Sequence, residues 1–160
     1  MKAQSADVHM GREGGVFTLK TRIFLPYPVE IVFPFFADAG NLESITPPWL
    51  QLCILTPLPI EMRAGAFIEY RLRLHGFRMR WLTEITAWQP PRRFVDEQRR
   101  GPYRTWIHEH TFAASEGGCD MTDFVCCDVA GGWIVNSLFV RHELRRIFEY
   151  RTRKLREFFP

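Results

Sequence analysis

The sequence predicts one small α+β domain in which a curved antiparallel sheet packs against a single long C-terminal helix. Three observations favour this fold class. The length of 160 residues suits one domain. Alternating apolar and polar residues mark a series of strands through the middle of the chain, and an apolar stripe at helical spacing runs near its C-terminus. We expect this domain to span residues 14–160, after a disordered N-terminal segment, residues 1–13, with few apolar side chains.

The domain is expected to begin with one strand and two short helices. Val16–Leu25 alternates apolar and polar side chains as a half-buried strand does. A short helix begins at Val29 and is expected to break or kink at Pro34, because proline lacks the backbone N–H that a helix needs. A second short helix covers Asp38–Ile45, and two prolines terminate it.

Six further strands and one long helix complete the predicted order of elements. The strands are Leu50–Leu55, Ala66–Leu74, Phe77–Trp88, Arg93–Arg99, Tyr103–Ala113 and Cys119–Asp128. Two-residue hairpin turns are indicated at His75-Gly76 and at Glu116-Gly117. The helix is expected from Gly132 to Phe159, with an apolar stripe formed by Val140, Leu144, Ile147, Phe148, Leu155 and Phe158.

A sheet of this size with one long helix predicts a cavity. The strands must curl to bury their inner face, and the helix then lies across the concave side. A single helix does not fill a wide curved sheet. The 14 Phe, 5 Trp and 4 Tyr residues therefore indicate either a Phe-rich core or an aromatic-lined cavity for a small organic ligand.

The hairpin at His75-Gly76 predicts the apolar wall of that cavity. Because side chains alternate between the two faces of a strand, Tyr70 and Trp81 should lie opposite each other and face inward. Leu72 and Met79 should form the next inward pair. Phe77 shares their face, so we expect Tyr70, Phe77, Met79 and Trp81, with the stripe of the helix, to contact an apolar ligand.

Polar side chains follow the inward face of the next three strands. If the faces that carry Phe94, Trp106 and Cys127 point inward, so do the polar residues on the same faces, namely Asp96, Gln98, His108, His110 and Asp123. The turn at Glu116-Gly117 places His110 opposite Asp123, close enough for a contact. Arg151 interrupts the apolar stripe of the helix and could reach this group from the other side.

Three interpretations of the polar group stay open. It can be a satisfied buried network that fixes the register of the sheet, because buried carboxylates need partners. It can be a polar floor that orients a ligand in the cavity. It can also be a catalytic pair in which His110, oriented by Asp123, acts as a general acid or base of a cyclase or dehydrase.

The sequence gives little support to several other functions. His108 and His110 with Asp96 or Asp123 are a conceivable but weak metal site, and we expect neither a metal nor a cofactor. The net charge of +3 and the absence of a base-reading motif argue against nucleic-acid binding. Without a signal-peptide pattern or a run of apolar residues long enough to span a membrane, we expect a cytoplasmic protein with reduced thiols.

One stretch carries a family resemblance. Phe94-Val-Asp-Glu-Gln-Arg-Arg-Gly-Pro-Tyr-Arg-Thr-Trp-Ile-His-Glu-His-Thr-Phe112 resembles the signature F-x-D-x-Q-x-x-G-P-[FY]-x-x-W-x-H-x-H-x-F of a bacterial branch of the START-like superfamily (SRPBCC, polyketide cyclase/dehydrase-like). Further landmarks are Thr46-Pro47-Pro48, Gly65, Asp123-Phe-Val125 and Phe148-Glu-Tyr-Arg151.

The resemblance implies a helix-grip fold, as in START domains and birch-pollen allergens, with seven antiparallel strands around the long helix. It implies a lipid-, polyketide- or aromatic-like ligand between sheet and helix, and a possible partnership with sugar-nucleotide epimerase-like or other enzymes. A non-catalytic partner module with a filled core is a separate alternative. This chain departs from the pattern at Cys119, where relatives tend to have Thr, and at Cys127, where they tend to have Tyr. We expect Cys127 to enlarge the pocket.

Overall fold

The computed structural model describes residues 7–131 and 139–160 of the chain. The strands in these ranges are β1 (Asp7–Glu13), β2 (Val16–Leu25), β3 (Cys53–Ile54), β4 (Phe67–Leu74), β5 (Phe77–Gln89), β6 (Arg93–Arg100), β7 (Tyr103–Ser115) and β8 (Gly118–Val129). The α-helices are α1 (Val29–Ala37) and α2 (Arg141–Phe158), and two 3₁₀ segments cover Ala39–Ile45 and Pro48–Leu50.

The strands form a single antiparallel sheet in the order β1-β2-β8-β7-β6-β5-β4-β3. Its pairing shifts register twice between β5 and β6, at Leu82/Thr83 and at Ile85/Ala87. Such irregularities bend a strand and increase its twist, so they help the sheet to curve. The α+β helix-grip fold that the sequence predicts is confirmed, with α2 packed on the inner side of the sheet.

Both predicted hairpin registers are confirmed. Tyr70 pairs with Trp81 across β4 and β5, and His110 pairs with Asp123 across β7 and β8. The backbone at His75 and Gly76 adopts φ angles of 50° and 86°. A two-residue turn with positive φ at both positions matches the right-handed twist of the strands it joins. These short turns fix which side chains enter the interior.

The sheet has one strand more than expected, because disorder is the wrong prediction for residues 7–13. The seven residues of β1 pair with β2 along its whole length. Val8 is buried and packs in an apolar cluster with Phe17 and Val140. The stretch holds few apolar side chains, but backbone bonds to β2 and one buried valine are enough for an edge strand. Residues 1–6 of the predicted disordered segment lie outside the described residues.

The first helix does not break at Pro34, where the sequence predicted either a break or a kink. Helix α1 continues through Pro34 to Ala37. A proline removes one hydrogen bond and strains the preceding turn, at a cost of about 3 kcal/mol. Burial of Phe33 and Phe36 against Phe112 offsets that cost, since each aromatic ring leaves water for an apolar core. The helix is therefore long enough to place the side chain of Phe36 in the interior.

The C-terminal helix is confirmed where the structure describes it. It begins at Arg141 and ends at Phe158, and the part of the prediction that covers residues 132–138 lies outside the described residues. Its inward side chains include Leu144, Phe148 and Leu155, all buried. They join two apolar clusters of the core, one beside α1 and one beside β2 and β8.

Candidate functional site

A cavity of about 190 Å³ lies between the concave face of the sheet and α2. Its lining comes from strands β4 to β7, from the end of α1, from the 3₁₀ segment Ala39–Ile45 and from α2. A cavity of about 150 Å³ lined by apolar side chains is large enough for benzene. The space near Trp106 therefore exceeds a few water molecules, which contradicts the alternative of a filled core.

One wall of the cavity is a continuous group of aromatic rings. Tyr70 and Trp81 stack with ring centroids 5.8 Å apart. Trp81 meets the edge of Trp106 at 5.2 Å, and Tyr103 lies 4.8 Å from Trp106. Trp106 in turn contacts the His108 ring edge-on at 6.3 Å. Tilted and edge-to-face contacts of this kind hold aromatic rings in fixed positions, so the wall is a firm surface.

The other side of the cavity carries a cluster of charged and polar groups, namely Asp96, His108, His110, Asp123 and Arg151. His110 contacts two carboxylates at once: its Nε2 lies 2.9 Å from Oδ2 of Asp96 and its Nδ1 lies 2.8 Å from Oδ1 of Asp123. Nε2 of His108 lies 3.0 Å from the same Oδ1 of Asp123. Three strands therefore meet in this cluster through their side chains.

Helix α2 contributes Arg151 to the cluster. Its Nε donates a hydrogen bond of 3.1 Å to Oδ2 of Asp123. The side chains of Arg151 and Asp123 are both buried. A charged pair that is removed from water is stable only when its polar atoms have hydrogen-bond partners. Here His108 and His110 on β7 contact Oδ1, the other carboxylate oxygen of Asp123. The prediction that Arg151 reaches the polar group from the helix is confirmed.

The surroundings of the two carboxyl groups favour their charged forms. Burial by itself raises the pKa of Asp123, but the charge of Arg151 and hydrogen bonds from His108 and His110 hold the pKa well below its ordinary value. Burial also raises the pKa of Asp96, and the two histidines outweigh it, so that this pKa is lowered as well. Both side chains are carboxylates near neutral pH.

The two imidazoles have opposite shifts. Burial lowers the pKa of His110, but hydrogen bonds to Asp123 and Asp96 and their charges raise it above the ordinary value. Burial and the neighbouring His110 lower the pKa of His108, and the carboxylates only partly oppose this. His110 also stacks on Phe94 at 4.1 Å, a contact that favours a cation. Protonation is therefore favoured at His110 and disfavoured at His108.

This arrangement leaves His110 poorly suited to acid–base catalysis. A general base needs a nitrogen that can reach the substrate. Both ring nitrogens of His110 lie within 2.9 Å of a carboxylate oxygen. A substrate would have to displace Asp96 or Asp123 to reach either of them. Asp123 itself lies behind the imidazoles and is not part of the cavity lining.

Three residues of the cluster have the geometry of metal ligands, but a metal ion would compete there with Arg151. Asp96, His108 and His110 each offer one ligand atom, and these atoms lie within 4.8 Å of one another. Two imidazoles and a carboxylate are ordinary ligands of zinc or iron. However, Nη2 of Arg151 lies 3.5 Å from Nδ1 of His110, and a metal would also have to displace the proton between His110 and Asp96. A metal bound through Nδ1 would have to displace the guanidinium from its contact with His110.

The structure brings most of the predicted site residues to the cavity. Those in its lining are Tyr70, Trp81, Phe94, Asp96, Trp106, His108, His110 and Arg151. Five others do not line it and correct the prediction: Phe77, Met79, Gln98, Asp123 and Cys127. Phe77 is 70% exposed, although its partner across the hairpin, Leu74, lines the cavity. Met79 is half-buried, and its partner Leu72 also lines the cavity.

Gln98 and Cys127 have structural roles instead. The amide of Gln98 spans the turn at Gly101-Pro102: its Nε2 donates to the carbonyl oxygen of Tyr103 at 2.6 Å, and its Oε1 accepts from the Tyr103 N–H at 3.2 Å. Cys127 is fully buried between Phe17 and Val125 in an apolar cluster, so it does not enlarge the cavity. Burial raises the pKa of the Cys127 thiol to about 12.

The sequence analysis missed several lining residues. Phe35 and Phe36 line the cavity because α1 passes Pro34, and the spacing of Phe33 and Phe36 was the available signal for that. Tyr103 also lines it. A register shift between Tyr103 and Thr105 turns this ring toward the side of Trp106, and strict alternation along a strand does not detect such a shift.

These features define a helix-grip domain of the START-like (SRPBCC) superfamily, with a cavity between sheet and helix. The chain belongs to the family described as "Polyketide cyclase / dehydrase and lipid transport", whose model matches residues 25–156. Ligand binding in general is the property that this family and fold support. A comparison with curated proteins gives no match. In the part of the chain that is described, no helix is long and apolar enough to cross a membrane.

Solved structures share the fold over nearly the whole chain. A protein from Arthrobacter aurescens has a TM-score of 0.71 at 15% identity and covers 93% of this chain and 91% of its own. A protein from Chromobacterium violaceum has a TM-score of 0.70 at 15% identity, with coverage of 89% and 96%. The major latex-like protein 151 of Panax ginseng has 0.68 at 12% identity, with coverage of 92% and 99%. At these identities the similarity shows the fold alone.

Replacement of Asp123 by asparagine is expected to destabilise the fold strongly. The substitution Asp123→Asn leaves Arg151 and His110 buried without their shared counter-charge. Removal of one partner of a buried ion pair costs about 3–5 kcal/mol in the free energy of unfolding, measurable by urea denaturation. Asp120→Asn is the matched control on the same strand, because Asp120 pairs with the exposed Arg22 and little change is expected. Equal losses in the two variants would contradict this account of the cluster.

The histidines are expected to titrate on opposite sides of the ordinary pKa of about 6.5. At that pH, NMR of the imidazole groups should show His110 protonated and His108 neutral. Since the folded-state pKa of His110 is raised, its contribution to stability is complete below pH 6.5 and is lost as the pH rises through its folded-state pKa. The contribution of His108, whose folded-state pKa is lowered, is lost as the pH falls. A neutral His110 at pH 6.5 would contradict the assignment.

Proposed function

We propose that the chain binds and carries a small, neutral, largely apolar ligand that bears at least one hydroxyl group. The aromatic wall would contact the body of the ligand, and the polar cluster would orient it. The observation that carries the proposal is the position of the polar cluster, which faces an otherwise largely apolar cavity through Asp96, His108, His110 and Arg151.

The pairing of the charged groups within the cluster argues for a neutral ligand. Arg151 is paired with Asp123, and His110 lies between Asp123 and Asp96. An ionised ligand would lose its hydration on entering an apolar cavity, and the cluster has no unmatched charge that would compensate this loss. A neutral lipid-, polyketide- or aromatic-like compound avoids this penalty.

The position of Asp96 argues that the ligand carries a hydroxyl group. Its side chain is 16% exposed, against 4% for Asp123, so Asp96 is the carboxylate nearer the open cavity. Both imidazoles contact its Oδ2, which leaves Oδ1 as the oxygen that can accept a hydrogen bond from a ligand. A carboxylate only accepts, and a hydroxyl is the neutral donor of matching size.

The test is a calorimetric comparison of naphthalene, 2-naphthol and 2-naphthoate. These compounds have the same bicyclic body and differ only in the polar group. A hydrogen bond to a charged group contributes about 1.5–3 kcal/mol, so 2-naphthol should bind at least tenfold more tightly than naphthalene. The anion 2-naphthoate should bind more weakly than 2-naphthol. No binding of any of the three at micromolar to millimolar concentrations would refute the proposed function.

A charge-changing variant sharpens the test. Asp96→Asn removes one negative charge and leaves Arg151 and His110 facing Asp123 alone. The preference for 2-naphthol over 2-naphthoate should then shrink or reverse. Glu97→Gln is the matched control, because Glu97 is the next residue on β6 and bonds instead to Thr86 and Arg99 on the outer face. An unchanged preference in Asp96→Asn, with the variant folded, would count against the role of Asp96.

A further inference from the structure

The exposed end of the β4–β5 hairpin concentrates positive charge. Residues 67–80 contain four arginines and one glutamate, so these 14 residues carry a net charge of +3. The side chains of the four arginines are all exposed, namely Arg71, Arg73, Arg78 and Arg80. A basic patch of this kind attracts anionic surfaces.

The arginines face one another in two cross-strand pairs. Arg71 lies opposite Arg80, and Arg73 lies opposite Arg78. Like charges directly opposite each other on a sheet destabilise it. Among the described residues, Arg80 is the only one of the four with a salt bridge, to Glu69 at 3.3 Å. The hairpin therefore holds three guanidinium groups together without a carboxylate of the described chain to neutralise them.

The tip of the hairpin adds an apolar side chain to this charge. Phe77 is 70% exposed, more than any other large apolar side chain in the described part of the chain. Nε of Arg73 donates a hydrogen bond of 3.2 Å to the carbonyl oxygen of Gly76, so this guanidinium lies at the turn that precedes Phe77. Charges on an edge strand can serve to prevent pairing with other chains, but that role requires neither an exposed phenylalanine nor arginines on β5.

The same hairpin borders the cavity. Leu72 and Leu74 line the cavity, and they pair across the hairpin with Met79 and Phe77. The lining therefore extends along β4 to the residue that precedes the turn. A surface that holds the tip of the hairpin would lie at this end of the cavity.

We propose that the tip of the β4–β5 hairpin docks on an anionic phospholipid membrane. Phe77 enters the boundary between headgroups and acyl chains, where apolar side chains of peripheral proteins are buried. Arg73 and Arg78 bind lipid phosphates, which match the paired donors of a guanidinium. Arg71 and Arg80 lie about 7 Å farther along the strands, within the Debye length of about 8 Å, so the surface potential still attracts them.

The inference goes beyond the proposed function, because it assigns an outer surface and requires no ligand. It is consistent with that function, since a neutral apolar compound partitions into membranes and docking would bring one end of the cavity close to it. A nucleic acid also offers phosphates, but it has no apolar layer beneath them for Phe77. The membrane is therefore the partner that accounts for both the charge and the exposed ring.

Co-sedimentation with lipid vesicles tests the inference. The wild-type protein should bind phosphatidylcholine vesicles that contain about 30% phosphatidylglycerol, and not vesicles of phosphatidylcholine alone. The double substitution Arg73→Gln with Arg78→Gln should weaken this binding about 30-fold, because each arginine near an anionic surface contributes about fivefold. Both side chains are exposed and repel each other, so we expect the variant to fold.

The double substitution Arg12→Gln with Lys20→Gln is the matched control. It removes the same charge from the β1–β2 hairpin, at the opposite edge of the sheet. Arg12 also contacts its own turn, since its Nη2 donates a hydrogen bond of 3.0 Å to the carbonyl oxygen of Gly15. Vesicle binding should fall by less than about threefold. Equal losses in the two double variants would mean that net charge alone governs binding, and would overturn the assignment of this hairpin.

Phe77→Ser distinguishes a membrane from other polyanions. The variant should bind the anionic vesicles about tenfold more weakly, because it loses the burial of an apolar ring, while urea denaturation should show an unchanged stability. A single-stranded oligonucleotide bound more tightly than the vesicles, or vesicle binding that survives in Phe77→Ser, would identify a general polyanion site and refute the membrane assignment. The proposed function would still stand in either case, because the naphthalene series tests it without lipid.

Discussion

Asp123 is the point at which the sheet and the C-terminal helix are joined by charge. Its carboxylate contacts His108 and His110 on the neighbouring strand and Arg151 on α2. Asp96 completes the cluster by contacting Nε2 of His110, the ring nitrogen that faces away from Asp123. Each of these groups would be costly to bury alone. Together they are satisfied, and the requirement that all five be present fixes the register of three strands and the position of the helix.

The same cluster explains how one side of the interior can be polar, because its charged groups are paired with one another. Apolar clusters beside α1 and beside β2 and β8 close the core at both ends. Between them the helix spans a sheet that curves away from it, and rings from β4, β5 and β7 line the remaining space. The cavity therefore has a floor of paired polar groups and an aromatic wall, and the proposal of a neutral ligand rests on this combination.

Local patterns in the sequence were sufficient for the strands, the hairpin registers and the contact of His110 with Asp123, because side-chain alternation and two-residue turns are short-range properties. The errors have long-range causes. Phe77 was predicted to face inward, but its side chain is 70% exposed. The side chain of Gln98 forms hydrogen bonds to the backbone of Tyr103 at a turn, and Asp123 lies behind the histidines, so neither residue lines the cavity. The passage of α1 through Pro34 depends on the burial of Phe33 and Phe36, which only the tertiary structure supplies.

The central claim is that a charge-balanced polar cluster and an aromatic wall enclose a space for one neutral ligand. The most direct measurement is a crystal structure of the protein soaked with 6-bromo-2-naphthol, with the bromine located by anomalous scattering. The account predicts one bromine peak inside the cavity beside Trp106, with the hydroxyl of the ligand at Asp96. Bromine found only on the outer surface, or a cavity occupied by the protein's own side chains, would contradict it.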